Sequence, residues 1–133
     1  MKHEESALQA AILKWFNLQY PKLEGLLVGY PAGINLDLKT RVRMKCMGLT
    51  AGFPDLQLMV PGSFISEEDI SHGLLIELKT AKGIVTACQK DYHAKLRRQH
   101  YTVVICRSFE EARDQIRYWL MRVPNLERRY ARP

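Results

Sequence analysis

The sequence predicts an α/β fold, and three observations carry that expectation. Apolar runs of strand length alternate with longer stretches whose apolar residues recur at helical spacing. Two helix-opening patterns, Thr86-x-x-Gln89 and Ser108-x-x-Glu111, fall between those stretches. Of the 133 residues, 47% are apolar, which suits one folded domain with a real core.

The elements follow in order. Residues 4–19 place Leu8, Ile12, Trp15 and Phe16 on one helical face, and Pro21 ends that helix. Leu26 to Tyr30 forms a first strand, stopped by Pro31 and Gly33. Residues 55–60 and 73–79 form the second and third strands. Between the first and second lies a stretch that fits two structures. Ile34, Leu36, Leu38, Val42, Met44 and Cys46 alternate with polar residues as in a half-exposed strand. Leu38, Val42, Cys46 and Leu49 also fit a helix that Gly48 could end. Thr86-Ala87-Cys88-Gln89 opens a helix to about His100, with Tyr92 and Leu96 inward. Tyr101 to Cys106 is a continuous apolar strand. Ser108 opens the last helix, with Phe109, Ala112, Ile116, Trp119 and Leu120 on one face, and Pro124 closes it.

The chemistry concentrates at the ends of the second and third strands. Gly52-Phe53-Pro54-Asp55 sets a carboxylate at the start of one apolar run, and Ile76-Glu77-Leu78-Lys79 sets a carboxylate and an ammonium at the end of the next. Residues two apart on a strand share a face, so Glu77 and Lys79 point the same way, with Leu78 behind them. Asp55 joins that face if the two strands pair. An isolated Glu-x-Lys is commonly a surface ion pair. Here Glu77 interrupts the apolar segment Gly73–Leu78, where a carboxylate needs a cationic partner. Two carboxylates and an ammonium at one sheet edge can hold a divalent metal and handle a phosphate.

Twenty basic residues against fourteen acidic ones give a net charge of +6, which favours a polyanionic partner. The basic residues run together: Lys39, Arg41, Arg43 and Lys45; Lys90, Lys95, Arg97 and Arg98; and Arg122, Arg128, Arg129 and Arg132 in a basic tail over residues 122–133. The acids gather at Glu67, Glu68 and Asp69. Each run alone is a solvated face; beside a carboxylate pair they fit phosphate-backbone contacts. No apolar run reaches membrane-spanning length, and the acidic opening at Glu4 and Glu5 does not suit a secretory signal, so a cytoplasmic protein is expected. Cys46, Cys88 and Cys106 lack metal-finger spacing and suggest reduced thiols packed as small apolar groups. His3, His72, His93 and His100 lack paired ligand spacing and read as surface or satisfied histidines. Trp15, Tyr92 and Trp119 occupy helical core positions.

In this order the motifs resemble the PD-(D/E)XK nuclease superfamily, and within it the VRR-NUC family of small phage-type and repair nucleases. The matching residues are Glu5-Ser6-Ala7-Leu8-Gln9, Tyr30-Pro31-Ala32-Gly33, Gly48 through Leu56, Ile76 through Lys79, Gln89, and the closing strand and helix. Ala32 stands where the family usually has Asn. The resemblance implies a restriction-endonuclease-like core, a mixed central sheet flanked by helices in αβ(α)ββαβα order. It also tips residues 37–47 toward a helix.

The same resemblance implies a site. Asp55 and Glu77 would bind Mg²⁺ or Mn²⁺ together with the Leu78 backbone carbonyl, an oxygen-only set suited to hard cations. Lys79 would orient or activate the attacking water. Glu5 would reach the site from the first helix, with Glu4 as its rival one position away. Gln89 would orient Lys79 or the water, although a capping role at N3 also explains it. Lys39, Arg41, Arg43, Lys82, Lys90, Arg97 and Arg98 are the expected nucleic-acid contacts. The function expected is structure-specific cleavage of branched or four-way DNA by a homodimer, without an organic cofactor. The alternatives are a non-catalytic DNA-binding protein of the same fold, or a nuclease for single strands or RNA.

Overall fold

β3, residues Leu74–Leu78, is buried at all five positions, and the other elements are arranged around it. The computed structural model describes residues 2–31, 35–66 and 68–123. The elements run α1 Lys2–Gln19, a 3₁₀ turn Pro21–Leu23, β1 Leu27–Gly29, α2 Leu38–Cys46, β2 Leu56–Leu58, β3, α3 Ala87–Arg98, β4 Thr102–Cys106 and α4 Phe109–Met121. The sheet has the order β1-β2-β3-β4. β1/β2 and β2/β3 are antiparallel, and β3/β4 is parallel. The expected α/β fold with a mixed sheet is present. Glu67, Ala32, Gly33, Ile34, Pro124 and the tail arginines Arg128, Arg129 and Arg132 lie outside the described residues.

The pleat sorts the two faces. Leu56, Leu58, Leu74, Ile76, Leu78 and Cys106 join Ile12 and Phe16 of α1 and Ala112, Ile116 and Trp119 of α4 in one apolar core. Burying each large apolar side chain here contributes roughly 1.5–3 kcal/mol. The alternate positions, Leu75, Glu77 and Val103, face the other way, toward α3. A carboxylate can stand in so apolar a strand because it lies on the side away from the main core. β4 is an edge strand, and its run is not uniformly buried: Ile105 is 41% exposed.

Residues 38–46 form a helix, the alternative the resemblance favoured. The Asp37 carboxylate accepts the Thr40 N–H at 3.0 Å. At the far end, Gly48 takes φ +105°, its N–H donates to Lys45 O at 3.1 Å, and Leu49 N–H donates to Met44 O at 2.9 Å. This double closure requires a left-handed residue, and glycine supplies it at little cost. Thr86 and Gln89 form the reciprocal capping box of α3. The second expected box is half made. Ser108 Oγ accepts the Glu111 N–H, but Glu111 turns its carboxylate to the Arg107 N–H at 2.6 Å. Tyr92 and Leu96 are only half-buried, and the buried side chain of α3 is His93. All three cysteines are free thiols, but only Cys106 packs as an apolar group, its thiol pushed up to about 12 by burial. Cys46 and Cys88 are exposed. No described helix is long and apolar enough to cross a membrane.

Gly52 is where α3 meets the loop leading to Asp55. It has φ +85°, and a Cβ there would lie 2.8 Å from the Cys88 carbonyl oxygen. Gly48 also has positive φ, but a Cβ there would meet open space. Gly48→Ala is therefore expected to cost only the backbone term, about 1–2 kcal/mol. Gly52→Ala adds an overpacking penalty of about 1–3 kcal/mol. Urea unfolding of the two variants checks this, and equal losses would mean that the Gly52–Cys88 contact is relaxed away.

Candidate active site

Asp55 sits one step before β2. The β2/β3 register pairs Leu56 with Ile76, so the next pair outward is Asp55 and Glu77, side by side on the α3 face. Asp55 is fixed by both neighbouring strands. Its main-chain oxygen accepts the Tyr30 N–H at 2.7 Å, and its Oδ2 accepts the Leu78 N–H at 2.7 Å. The side chain thus completes the ladder where the β2 backbone leaves it. Pro54 precedes it, and Phe53 packs between Tyr30, at a tilt, and Tyr92, edge to face, with centroid distances of 5.4 and 5.5 Å. Gly52 and this ring cluster lock the approach to Asp55.

Glu77 is 1% exposed. Its Oε1 lies 3.0 Å from His93 Nε2. Burial pushes its carboxyl up to about 9, reinforced by the hydrogen bond and charge of Asp55 and by the charge of Glu5, while Lys79 pulls the other way. Burial also holds His93 below its ordinary value, with the positive charge of Arg97 adding to the effect. Both shifts favour the uncharged forms, an imidazole facing a carboxyl, although the geometry is that of a salt bridge. With Nε2 carrying its proton, His93 donates to Glu77 Oε1, and the Glu77 carboxyl is also hydrogen-bonded to Asp55. The expected cationic partner does not dominate: Lys79, 8% exposed, acts on Glu77 without overcoming desolvation.

The remaining expected residues fall into three groups. Glu5 is half-buried and its charge is felt at Glu77, whereas Glu4 is exposed. Gln89 lies one helical turn before His93, on the same side of α3, and its Oε1 is committed to the Thr86 N–H at 2.9 Å. Lys39, Arg41, Arg43, Lys82, Lys90 and Arg98 are exposed. Arg97 donates to Val103 O at 3.1 Å and so ties α3 to β4.

His93 is the satisfied histidine among the two alternatives expected, but its place beside Glu77, and the role of Arg107, were not foreseen from the sequence. His93 had one local clue, its spacing of four from Gln89. Arg107 follows Cys106, whose carbonyl accepts the Lys79 N–H at 3.0 Å. Its guanidinium donates to Thr80 O at 2.9 Å and to Gly83 O at 2.6 Å, bracing the turn that follows Lys79.

Among the described residues, no group of three or more His, Cys, Asp or Glu side chains is placed to hold a metal ion. Asp55 and Glu77 still fit a hard cation. They are adjacent oxygen donors, and the hydrogen bond and the charge of Asp55 both add to the effect of burial on Glu77. Two carboxylates with a carbonyl and water would satisfy Mg²⁺, which keeps several waters.

The raised Glu77 has a stability consequence. Between the ordinary value of 4.5 and about 9, Glu77 is more protonated in the folded chain than in the unfolded one. The stabilisation is fully present below that ordinary value and is lost as pH rises toward the folded value. Glu77→Gln removes this dependence. Its melting temperature relative to wild type should climb from about pH 5 to about pH 8.5 without added divalent cation. A difference constant across that range would contradict the assignment.

Comparison with known proteins places the chain in a family. The VRR-NUC domain family model matches residues 3–110. A solved structure described as a VRR_NUC domain protein superposes with a TM-score of 0.70 at 23% identity, covering 88% of each chain, a likeness of fold. No curated protein matches the chain. With the family model spanning most of its length and the Asp55–Glu77–Lys79 constellation in place, the chain belongs to the VRR-NUC family of the PD-(D/E)XK superfamily, a family of nuclease-type DNA-processing domains.

Proposed function

We propose that this protein is a metal-dependent endonuclease that hydrolyses DNA phosphodiester bonds and acts on branched or four-way junctions as a homodimer. The observation that carries the reading is the pairing of Asp55 with Glu77 on the face that also bears Lys79. Asp55, Glu77 and the Leu78 carbonyl would hold Mg²⁺ or Mn²⁺. Bound there, the cation would supply positive charge against the scissile phosphate.

The chain's own groups do the rest. Asp55 is aimed by the Leu78 N–H, and Glu77 by His93, as outer partners orient ligating groups. Lys79 offsets charge on the phosphate and orients the attacking water. Glu5 reaches the same water network from α1, and Gln89 is placed to steady it from α3. Hydrolysis leaves 5′-phosphate and 3′-hydroxyl ends. A domain this small has few elements with which to read base sequence, which supports recognition of DNA structure. A two-fold junction suits a two-fold dimer. Lys39, Arg41, Arg43, Lys82, Lys90 and Arg98 supply the phosphate contacts, and Arg97 joins them with whatever its bond to Val103 leaves available.

Cleavage of labelled linear, flap and four-way substrates with Mg²⁺ or Mn²⁺ tests the proposal. Cutting of the four-way substrate above the others is expected. Binding without cutting of any substrate would point to a DNA-binding protein that has lost catalysis. Asp55→Asn, Glu77→Gln and Lys79→Ala should each lower single-turnover cleavage by about a hundredfold or more while leaving junction binding near normal. A wild-type rate in any of them would remove that residue from the mechanism. Glu5→Gln should slow cleavage strongly and Glu4→Gln hardly at all; the reverse result would move the role one position along α1.

A further inference from the structure

α2 is a nine-residue helix with both ends capped and no buried residue. A helix of that length is marginal in water by itself, so its outer face matters. Thr40 and Met44 are its half-buried residues and mark the side turned toward the body of the protein. Steps of 100° per residue place Leu38, Val42 and Cys46 directly opposite them. All three are exposed, Leu38 by 70% and Val42 by 54%. Lys39 and Arg43 line one flank of this stripe, and Arg41 and Lys45 the other. The outward face of α2 is a narrow apolar stripe between two basic rows, and Asp37 at the cap is the only acid in residues 35–49.

We infer that α2 is a groove-entering helix: its apolar stripe meets the floor of a DNA groove, and its two basic rows meet the phosphates of the two strands. Charge complementarity selects this occupant. A second copy of the chain laid stripe to stripe would bring four basic rows together. A duplex instead offers two walls of negative charge, and its major groove, about 12 Å wide, admits a helix. Leu38 and Val42 carry no hydrogen-bonding side-chain group, so the only base feature they could read is a thymine methyl, and the two basic rows set the register on the duplex. The link from α2 to the carboxylates is braced. Tyr30 Oη donates to Thr50 O at 2.5 Å, and Gly52 sits against Cys88. Docking of α2 would therefore set where the scissile phosphate falls. The inference rests on the reading of this chain as a DNA-processing protein, but not on its metal chemistry.

Binding of a 24-base-pair duplex without divalent cation, measured by fluorescence anisotropy across a salt series, tests it. Val42→Glu should weaken binding about tenfold or more with unchanged melting temperature, whereas Met121→Glu, which makes the same charge change on the exposed end of α4, should change it little. Neutralising Lys39 and Arg43, or Arg41 and Lys45, should each make the log–log salt slope shallower by about 2. Wild-type binding by Val42→Glu would overturn the proposal, as would an effect from one basic row only. Sedimentation showing that Val42→Glu splits a dimer while each subunit binds duplex as before would assign the stripe to a second copy and also overturn it. Intact α2 results beside a wild type that cuts no substrate would fail the nuclease reading alone.

Discussion

The burial of the Glu77 carboxyl between the His93 imidazole and the Asp55 carboxylate is the constraint around which this structure is organised. Glu77 at 1% exposure would be untenable as an unpaired anion. The fold satisfies it with the His93 Nε2 contact at 3.0 Å and with the hydrogen bond to Asp55. Such a pair is stable as long as the proton stays. Under the proposed metal chemistry, a hard cation would take the place of that proton between the two side chains.

The surrounding elements make that arrangement rigid. β3 contributes Glu77 on one face and Leu74, Ile76 and Leu78 to the core on the other, so the carboxyl cannot move without disturbing the packing. β2 brings Asp55 opposite it through the register, and the Leu78 N–H holds the Asp55 carboxylate in place. Arg107, seated by Glu111, fixes the exit of β3 just beyond Lys79. α3 is held against β4 by Arg97 and against the Gly52 loop by close contact, which sets the position of His93. The aromatic cluster of Tyr30, Phe53 and Tyr92 joins β1, the Asp55 loop and α3 in one place. Burial, register and hydrogen bonding thus converge on a few atoms at one end of the sheet.

The sequence made much of this legible where the signal was local. Alternation along a strand put Glu77 and Lys79 on one face, and the Thr86-to-Gln89 spacing gave the start of α3. α2 was ambiguous for a physical reason: it buries no side chain, so no core-facing period distinguishes it from a half-exposed strand. The half-made box at Ser108 depended on Glu111 choosing the Arg107 N–H over that of Ser108, a competition between two adjacent donors that residue types do not decide. β4 is apolar throughout, but its place at the sheet edge leaves Ile105 partly exposed, and edge position is a property of topology. The partner of His93 is not legible in the sequence because it lies sixteen residues away and meets His93 only once α3 folds back over β3.

The most direct test of this account is calorimetric titration of Mn²⁺ into the protein at pH 7 in buffers of different ionisation enthalpy. With Glu77 held at about 9, the carboxyl is almost fully protonated at that pH, so seating the cation on Asp55 and Glu77 must expel its proton. Release of about one proton per cation bound is expected from the wild type, and none from the residual binding of Glu77→Gln. Binding of Mn²⁺ with no proton release, or with the same release in both proteins, would contradict it.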